Sequence, residues 1–461
     1  MIPFQQYLVE QNIDKVRIVV LSGRKTQKDD EMMRTARVIK EVCKKRKVDC
    51  YVVFAEDGYI SRKDGKVRIH NIDDERGFEI NSSDTAVIVR GSVSKSQSSL
   101  DLLSQIERNN IFCVNYRMTL EQCSDKYRTS LVLADAGVST PKSAIVNNEK
   151  GLEIAFEKMG KKFPVILKTL TGSKGVGVFV ADTWEGLKST LQAIWKIDKH
   201  VEIVMQKFLE ADGDLRVHVL GDKVIAAMKR IKVKGDFRAN YSLGGKVEKV
   251  TLSKEEEELA INASKAVGAT WSGVDLMKNK RDGKLYIIEI NSSPGTEGIE
   301  KATGKSIVEI VINYLLDKRN WKKKPIECGY LETMELKGVG EVEAKLDTGN
   351  GSFCVVHAEE YSVEGDTVTW SFNGKKIKSK LEKERTIKIG GMKSGTVDRP
   401  VIWLDVKFRN ETYTMRFALN NRSDRKTYLL MNRNFIRQAN LVINPAKKHV
   451  FTGKKANQFS Q

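Results

Sequence analysis

The stretch WSGVDLMKNKRDGKLYIIEINSSPG, residues 271–295, decides the fold of this chain. Glu289 and Asn291 lie two residues apart in the apolar run LYIIEIN, and strand side chains two residues apart face the same way. A hairpin at NKRDG would bring Asp275 back beside them. Carboxylate and amide oxygens without sulfur or imidazole suit Mg²⁺ with nucleotide phosphates rather than zinc. The sequence therefore predicts a magnesium site in an enzyme that consumes ATP.

An acidic strand end on the protein surface is the alternative interpretation of these residues. Two observations argue against it. Glu289 lies inside a strongly apolar strand, where an unpaired carboxylate would be costly. Asn291 is followed by Ser-Ser-Pro-Gly, which predicts a sharp turn at a strand end, and functional residues are frequent in such turns.

The composition is that of a folded protein with a strong positive charge. The 461 residues are enough for about three domains of roughly 150 residues each. No apolar run reaches the roughly 20 residues of a membrane span, so we expect no membrane partner. The six cysteines form no CxxC pair, which indicates reduced thiols in a cytoplasmic protein. The net charge of +19 favours polyanionic partners, but a solvated basic surface explains it equally simply.

The order of apolar runs predicts the domain organisation. VRIVV, CYVVF, TAVIVRG and IFCVN alternate with helical segments such as Asp30–Lys45, which favours a parallel α/β domain at residues 1–114. Mixed strands and helices follow at 115–318, and a linker is expected at 319–325. Residues 326–461 contain short alternating strands such as VEAKLD and PVIWLDVKF, which predict a mostly β domain.

Further segments have the chemistry of a nucleotide site. Lys168 ends the strand FPVILK and precedes the glycines of TGSKGVG, so a cation and a flexible loop would meet the phosphates. The apolar strand at 202–210, EIVMQKFLE, could present its backbone to an adenine edge. Asp214 and Arg216 share a strand face, and the basic turn GDFRAN contains Arg238. Taken singly, each of these is equally explained by an ordinary turn, strand, surface ion pair or solvated loop.

Taken in order, these motifs resemble those of the ATP-grasp ligases, and within them the RimK branch, which adds glutamate to the C-terminus of a ribosomal protein. The resemblance covers about residues 85–318. It implies an α/β N-terminal domain followed by an α+β ATP-grasp domain. GDFRAN and NSSPGTEGIE are the most specific motifs, and the others are SDK at 124–126, PVILK at 164–168, QKFL at 206–209, DLR at 214–216 and GVD at 273–275.

The resemblance implies roles for individual residues. ATP would be bound by Lys126 and Lys168 at the phosphates, by Gln206, Lys207 and Phe208 at the adenine, by Asp214 at the ribose, and by Arg238 and Asn240 at the nucleotide or reacting groups. One or two Mg²⁺ ions, with Mn²⁺ as an alternative, would be held by Asp275, Glu289 and Asn291. Arg216 and Arg230 would clamp a carboxylate substrate, and Arg238 would offset charge during the reaction. The family usually has an acidic residue where this chain has Lys207.

The C-terminal region contains a second candidate site. The strand VEAKLD runs into Asp347-Thr348-Gly349, the turn on which aspartic proteases present a catalytic carboxylate. With its neighbouring motifs, the region at about 326–455 resembles the retropepsin-like, RimB-like domain that is called an ATP-dependent zinc protease. No zinc-ligand spacing supports that name here. The chain has one such turn, so an active protease would be a homodimer. A docking domain that holds a peptide without cutting it is the alternative.

The sequence thus favours a carboxylate–amine ligase that works through an acyl phosphate. It would add an amino acid, with glutamate as the candidate, to a peptide or protein terminus, and a ribosomal protein is a candidate acceptor. The fused domain would trim or bind the same tail. Two alternatives belong to other classes: an aspartic peptidase whose ATP-grasp half senses nucleotide, and a basic ribosome-binding protein without catalysis.

Overall fold

The structure is a computed structural model, and it describes residues 16–23, 30–170, 177–231, 246–323, 325–388, 396–409 and 411–451. The chain divides into two units, Met1–Lys322 and Lys323–Gln461. Within the described ranges, no helix is both long enough and apolar enough to cross a membrane.

The first part of the N-terminal unit is built around a parallel sheet. Its elements in chain order are β1 (Arg17–Ser22), α1 (Asp30–Lys45), β2 (Cys50–Phe54), β3 (Tyr59–Lys63), β4 (Lys66–His70), β5 (Phe78–Ile80), β6 (Thr85–Arg90), α2 (Gln97–Arg108) and β7 (Phe112–Val114). The sheet has the order β2-β1-β6-β7, and each neighbouring pair is parallel. Ile18 and Val20 face one core while Val19 and Leu21 face another, so both faces of the sheet are covered. This confirms the predicted parallel α/β region.

Strands β3, β4 and β5 form a small antiparallel sheet that the sequence analysis did not predict. The strands are three to five residues long and rich in charged residues. Their apolar residues Val67, Ile69 and Ile80 pack into the same core as Val19. Such short, mostly polar strands have too few apolar positions for a period of two to be recognised.

The second part of the N-terminal unit contains two antiparallel sheets with flanking helices. Its elements are α3 (Arg117–Ser124), α4 (Lys126–Asp135), β8 (Ser143–Val146), α5 (Glu149–Lys158), β9 (Val165–Thr169), β10 (Val178–Ala181), α6 (Trp184–Ile197), β11 (Ile203–Lys207), β12 (Gly213–Leu220), β13 (Lys223–Ile231), β14 (Lys246–Lys249), α7 (Lys254–Ala266), β15 (Trp271–Lys278), β16 (Leu285–Asn291), α8 (Glu297–Thr303) and α9 (Ile307–Leu316). The sheets have the orders β10-β9-β11-β8 and β14-β13-β12-β15-β16.

Two local details add to the sequence analysis. Helix α3 ends at Ser124, and α4 begins at Lys126. Asp125 separates them because its side chain accepts a hydrogen bond from the N–H of Arg128, at 2.8 Å, and so caps α4. Helix α8 was not predicted.

The two parts of the N-terminal unit share one hydrophobic core. Ala36 and Ile39 of α1 belong to the same buried cluster as Ile307 and Val311 of α9. The domain boundary expected after residue 114 stays a prediction, because this core extends across it.

A β-bulge in the hairpin β15–β16 sets the orientation of the predicted metal ligands. Asp275 lies opposite Glu289, whereas the next residue, Leu276, lies opposite Ile287. Strand β16 therefore has one extra residue between these pairs, and its side chains change face there. Ile287 before the bulge and Ile290 after it both pack into one core. Glu289 consequently projects from the other face of the sheet, together with Asp275.

The C-terminal unit is mostly β-structure. Its elements are β17 (Ile326–Leu336), β18 (Gly340–Leu346), β19 (Cys354–His357), β20 (Tyr361–Glu364), β21 (Thr367–Phe372), β22 (Lys375–Lys388), β23 (Thr396–Phe408), β24 (Glu411–Asn420), β25 (Leu429–Met431), α10 (Arg433–Gln438) and β26 (Leu441–Lys448). Strands β23, β24, β19, β25, β18 and β17 follow one another in the sheet, and β17 also pairs with β23, which closes a barrel. The barrel confirms the predicted mostly β fold of this region.

Helix α7 offers a test of local stability in the N-terminal unit. The side chain of Ser253 accepts from the N–H of Glu256, and the Glu256 carboxylate accepts from the N–H of Ser253, which together form a capping box. We expect Ser253→Ala to lower the free energy of unfolding of this unit by about 1 kcal/mol. Ser253→Asp keeps an acceptor and should lie close to the wild type. Chemical denaturation monitored by circular dichroism measures both, and equal losses would contradict the role of the cap.

Candidate active site

The predicted ligands lie on one face of the sheet β14-β13-β12-β15-β16. Arg216 of β12 is opposite Asp275 of β15, which is opposite Glu289 of β16. In the next row, Gly273 is opposite Asn291. Because side chains in one row share a face, the register brings the three oxygen ligands together, as the hairpin at NKRDG predicts.

Two arginines and two aspartates form a buried network on this face. Arg230 donates from Nε to Asp214 at 2.6 Å and contacts Asp275 through Nη2 at 2.8 Å. Arg216 donates to both oxygens of Asp275. Burial raises the pKa of Asp275, but Arg216 and Arg230 outweigh burial and hold that pKa below its usual value. The carboxylate is therefore ionised and ready to act as a ligand.

The network changes what is expected of Asp214, Arg216 and Arg230. Asp214 and Arg230 are buried and paired with each other, and Arg216 is paired with Asp275. A carboxylate oxygen can accept several hydrogen bonds, so these pairs leave acceptor capacity on Asp275. The ribose contact of Asp214 and the substrate clamp of Arg216 and Arg230 stay predictions.

The donor set fits a hard divalent cation. Within the described residues no group of three His, Cys, Asp or Glu side chains converges, and Asn291 would supply the third oxygen ligand. The Nδ2 of Asn291 is buried without a hydrogen-bond partner among the described residues. Oxygen donors from two carboxylates and an amide suit Mg²⁺. Asp275, Glu289 and Asn291 would then hold the cation.

Lys168 lies near the end of β9, an inner strand of the neighbouring sheet. Its Nζ donates to Oε1 of Gln206 at 2.7 Å, and Nε2 of Gln206 donates to Oγ of Ser143 at 2.9 Å. The pKa of Lys168 is lowered to about 8, mainly by burial and in part by Lys126, while Glu289 and Asp275 oppose the shift. These interactions place Lys168 near the carboxylates of the predicted metal site.

Lys126 also lies close to this strand end. Its Nζ is 3.4 Å from the carbonyl oxygens of Thr169 and of Leu170, directly after Lys168. The two lysines come from different elements, α4 and β9, yet both lie near the end of β9 and interact electrostatically. Their proximity is what a phosphate site requires, since both ammonium groups can face one anion.

The predicted adenine segment continues from β11. Gln206 is buried, Phe208 is half-buried, and the side chain of Lys207 is exposed with its Nζ 3.8 Å from the carboxylate of Asp282. Asp282 lies in the β15–β16 turn, which also binds the segment after Phe208 because the N–H of Lys280 donates to the carbonyl of Glu210. Lys207 thus has a carboxylate partner in the β15–β16 turn. The contacts of these residues with adenine stay predictions.

Some predicted residues lie outside the described residues. These are Arg238 and Asn240 of GDFRAN, and Gly172 and Gly175 of the loop after Lys168. Their assignments stay predictions.

Asp347 lies in the C-terminal unit at the end of β18. Its N–H donates to the carbonyl of Met431 at 2.9 Å, and its carboxylate accepts from the N–H of Gly349 at 2.9 Å. Arg433 of α10 donates from Nε to the carbonyl of Thr348 at 2.9 Å. The Asp-Thr-Gly turn is therefore held by the adjacent strand and helix.

Sequence reasoning missed the residues that hold the turn after Asn291. Asn115, Arg90 and Ser293 all contact this turn or belong to it. The available signal was a polar residue placed directly after a buried strand, as Arg90 ends β6 and Asn115 follows β7. That signal alone did not indicate which part of the chain these residues contact.

Two family models match parts of this chain. The family model for a RimK-like ATP-grasp domain matches residues 123–315, and the model for the retropepsin-like aspartic endopeptidase RimB matches residues 328–454. A protein of Haemophilus influenzae named "Probable alpha-L-glutamate ligase" is 37% identical over 232 residues, which are 50% of this chain and 75% of that protein. The "Probable alpha-L-glutamate ligase 2" of Shewanella amazonensis is 32% identical over 286 residues, 62% of this chain and 92% of the relative.

A solved structure supports the fold. The ATP-grasp ligase PsnB, complexed with a minimal precursor, aligns with a TM-score of 0.50 and 19% identity over 66% of this chain and 99% of PsnB. Fold and site together define an ATP-grasp enzyme that forms C–N bonds. The chain belongs to the RimK-like ATP-grasp ligases, the family of the alpha-L-glutamate ligases, and carries a retropepsin-like RimB domain after the ligase region. The ATP-grasp fold implies ATP and Mg²⁺ as cofactors.

The lowered pKa of Lys168 predicts how nucleotide binding depends on pH. With a pKa of about 8, the ammonium is mostly protonated at pH 7 and mostly neutral at pH 9. Since the charged form attracts phosphates, we expect the Kd for a non-hydrolysable ATP analogue to rise about tenfold across this range. Isothermal titration calorimetry measures the change.

Lys168→Arg is the matched control for this experiment. An arginine stays charged throughout the range, so its pH profile should be flat even if its affinity is lower. A slope in the Arg variant equal to that of the wild type would show that another group titrates.

Proposed function

We propose that the chain joins the carboxyl group of a peptide or protein terminus to the amine of a free amino acid, with glutamate as the amino acid. The observation that carries the proposal is the sheet face on which Asp275 and Glu289 meet Arg216 and Arg230. It combines ligands for a cation with guanidinium groups suited to carboxylates. The relatives named probable alpha-L-glutamate ligases support glutamate.

The proposed reaction has two steps. A carboxylate oxygen of the acceptor attacks the γ-phosphorus of ATP, the bond to the β-phosphate oxygen breaks, and ADP leaves as an acyl phosphate forms. The amine nitrogen then attacks the carbonyl carbon, phosphate leaves with the electron pair of the C–O bond, and the nitrogen loses a proton. Bound Mg²⁺ would supply charge neutralisation for the phosphates during the transfer.

The residues of the chain position the reactants and balance their charge. Lys126 and Lys168 would contact the phosphates of ATP. Arg216 and Arg230 would bind the carboxylate of the substrate. No covalent nucleophile is required. Burial raises the pKa of Cys123, the thiol next to Glu289, to about 12, so it stays protonated at neutral pH.

The cellular setting of the ligase is also part of the proposal. A ribosomal-protein C-terminus is a candidate acceptor, and a basic chain with a net charge of +19 suits association with ribosomal particles. The unpaired cysteines support a cytoplasmic location. Mn²⁺ would substitute for Mg²⁺, because both accept oxygen ligands.

Removal of both carboxylate ligands tests the ligase. We expect Asp275→Ala combined with Glu289→Ala to reduce glutamate-dependent ADP release at least a hundredfold, because the cation loses two charged ligands. A coupled assay that follows ADP in the presence of ATP, Mg²⁺, glutamate and an acceptor peptide measures the rate.

Glu255→Gln is a suitable control, since Glu255 is an exposed carboxylate in the first turn of α7. Its activity should match that of the wild type. Survival of glutamate-dependent ADP release in the double variant would refute the ligase reaction at this site.

A second candidate function resides in the C-terminal unit. We propose that Asp347 of two chains forms the catalytic pair of an aspartic peptidase, because such enzymes activate water with two carboxylates that share a proton. The match to the RimB family model and the position of Asp347 at the end of a barrel strand support this proposal.

The charges around Asp347 favour an acidic peptide as its substrate. Burial lowers the pKa of Arg422, the cations Arg425 and Arg399 lower it further, and the carboxylates Asp424 and Asp347 oppose the shift. The Nε of Arg399 is buried without a hydrogen-bond partner among the described residues. Arginines that lack partners can pair with carboxylates of a bound chain. A glutamate-rich tail, the product proposed for the ligase unit, has those carboxylates.

Asp347→Asn separates the two proposed activities. We expect this variant to lose cleavage of an α-linked glutamate peptide while its rate of glutamate-dependent ADP release stays unchanged, because Asp347 belongs to the other unit. Mass spectrometry of the peptide and the ADP assay provide the two readouts. Equal cleavage by the variant would reject the peptidase, and a monomer in sedimentation velocity with full cleavage would reject the shared pair.

A further inference from the structure

Asn115 lies directly behind the turn that follows the predicted cation ligand Asn291. It is buried and follows β7 of the parallel sheet. Its Nδ2 donates to the carbonyl of Trp271 at 2.6 Å and to the carbonyl of Ser292 at 2.7 Å. Its Oδ1 accepts from the N–H groups of Thr270, at 2.7 Å, and Trp271, at 3.0 Å. The side chain therefore makes four hydrogen bonds to the backbone of another part of the unit.

These hydrogen bonds begin where the β-ladder ends. The pairing of β15 with β16 stops at Gly273 and Asn291. The ladder has no further pair beyond it, and Asn115 bridges Trp271 on one side to Ser292 on the other. The side-chain amide of Asn115 thus takes the place of a backbone hydrogen bond of the ladder. It holds Ser292, the first residue after Asn291, at a fixed distance from β15.

The end of β6 contributes two more hydrogen bonds to the same turn. Arg90 donates from Nη2 to the carbonyl of Pro294 at 2.5 Å, and its guanidinium lies 4.5 Å from the ring centre of Trp271. The N–H of Gly91 donates to Oγ of Ser293 at 2.8 Å. Residues 292–294 are therefore each held by a group from the parallel-sheet region.

We propose that Asn115 is a positioning residue for the cation site. It acts through Ser292 and sets the place of Asn291, with Arg90 and Gly91 in support. The inference rests on the proposed function, in which Asn291 is a ligand of the cation. It assigns to the parallel-sheet region a part in cation binding, although that region supplies no ligand.

Asn115→Asp is the decisive variant because the aspartate side chain has nearly the same shape as that of asparagine. The remaining oxygen can still accept from Thr270 and Trp271, but the second oxygen would face the carbonyls of Trp271 and Ser292, with which it cannot bond. We expect the Kd for Mn²⁺ in the presence of ADP to rise 10- to 100-fold, the range seen when groups that orient metal ligands are lost. Titration of Mn²⁺ followed by electron paramagnetic resonance measures this constant without turnover.

The kinetic signature should agree with the binding result. The Mg²⁺ concentration for half-maximal ADP release should rise by a similar factor, and kcat should return towards the wild-type value at saturating Mg²⁺. A displaced ligand weakens binding, whereas general loss of folded protein would lower kcat without moving the Mg²⁺ dependence.

Thr85→Val is the control for ordinary destabilisation. Thr85 is buried at the opposite end of β6 from Arg90, and its Oγ1 makes two hydrogen bonds, to Asp84 and from the N–H of Asn81. We expect its Tm to fall while the Mn²⁺ constant stays within about twofold of the wild type. An unchanged Mn²⁺ constant in folded Asn115→Asp would overturn the inference.

Ser293→Ala covers the case in which Asn115→Asp does not fold. It removes only the acceptor of the Gly91 N–H, so a rise of a few fold in the Mn²⁺ constant is expected. No rise in Ser293→Ala would likewise count against the inference. The variant with Asp275→Ala and Glu289→Ala distinguishes the two proposals: if it binds Mn²⁺ as the wild type does, the cation site itself is misplaced and the proposed function fails first.

Discussion

The bulged pairing of β15 and β16 is the constraint on which the active site depends. In a regular strand, Glu289 would share a face with Leu285 and Ile287, which are both buried. The extra residue at the bulge exchanges the two faces, so that Ile290 returns to the core and Glu289 meets Asp275. Bulges beside active sites commonly re-aim side chains in this way. Core packing and the ligand set are thereby satisfied by the same seven-residue strand.

The network around Asp275 costs stability that a hydrophobic cluster would not. Transfer of four charged groups into the interior is expensive, and mutual pairing of Arg216 and Arg230 with the two aspartates offsets much of that cost. An apolar replacement of the same volume would fold at least as well, so stability does not explain why the charges are there. The network fixes ionised groups in defined positions, which is what a phosphoryl-transfer site requires. Burial of these charged groups therefore preorganises the site.

Sequence reasoning succeeded where a local pattern determines structure. Helix α1, the parallel order of the first sheet and the meeting of Asp275 with Glu289 follow from periodicity and from the turn at NKRDG. It failed where the cause is distant in the chain. Asn115 contacts Trp271 and Ser292 more than 150 positions away, and no pattern near Asn115 indicates those partners. Strict alternation of apolar and polar residues also does not predict the bulge, because the bulge is required by packing on both faces of the strand.

The charges around the predicted site affect how the cation and the nucleotide bind there together. Among the described residues of the site, three carboxylates are opposed by four cations, which leaves a small positive excess: Asp214, Asp275 and Glu289 against Arg216, Arg230, Lys126 and Lys168. A divalent ion bound alone would enlarge this excess in a partly buried setting, where uncompensated charge is penalised. A polyanionic triphosphate restores the balance. Cation and nucleotide should therefore strengthen each other's binding by the same factor, as thermodynamic linkage demands.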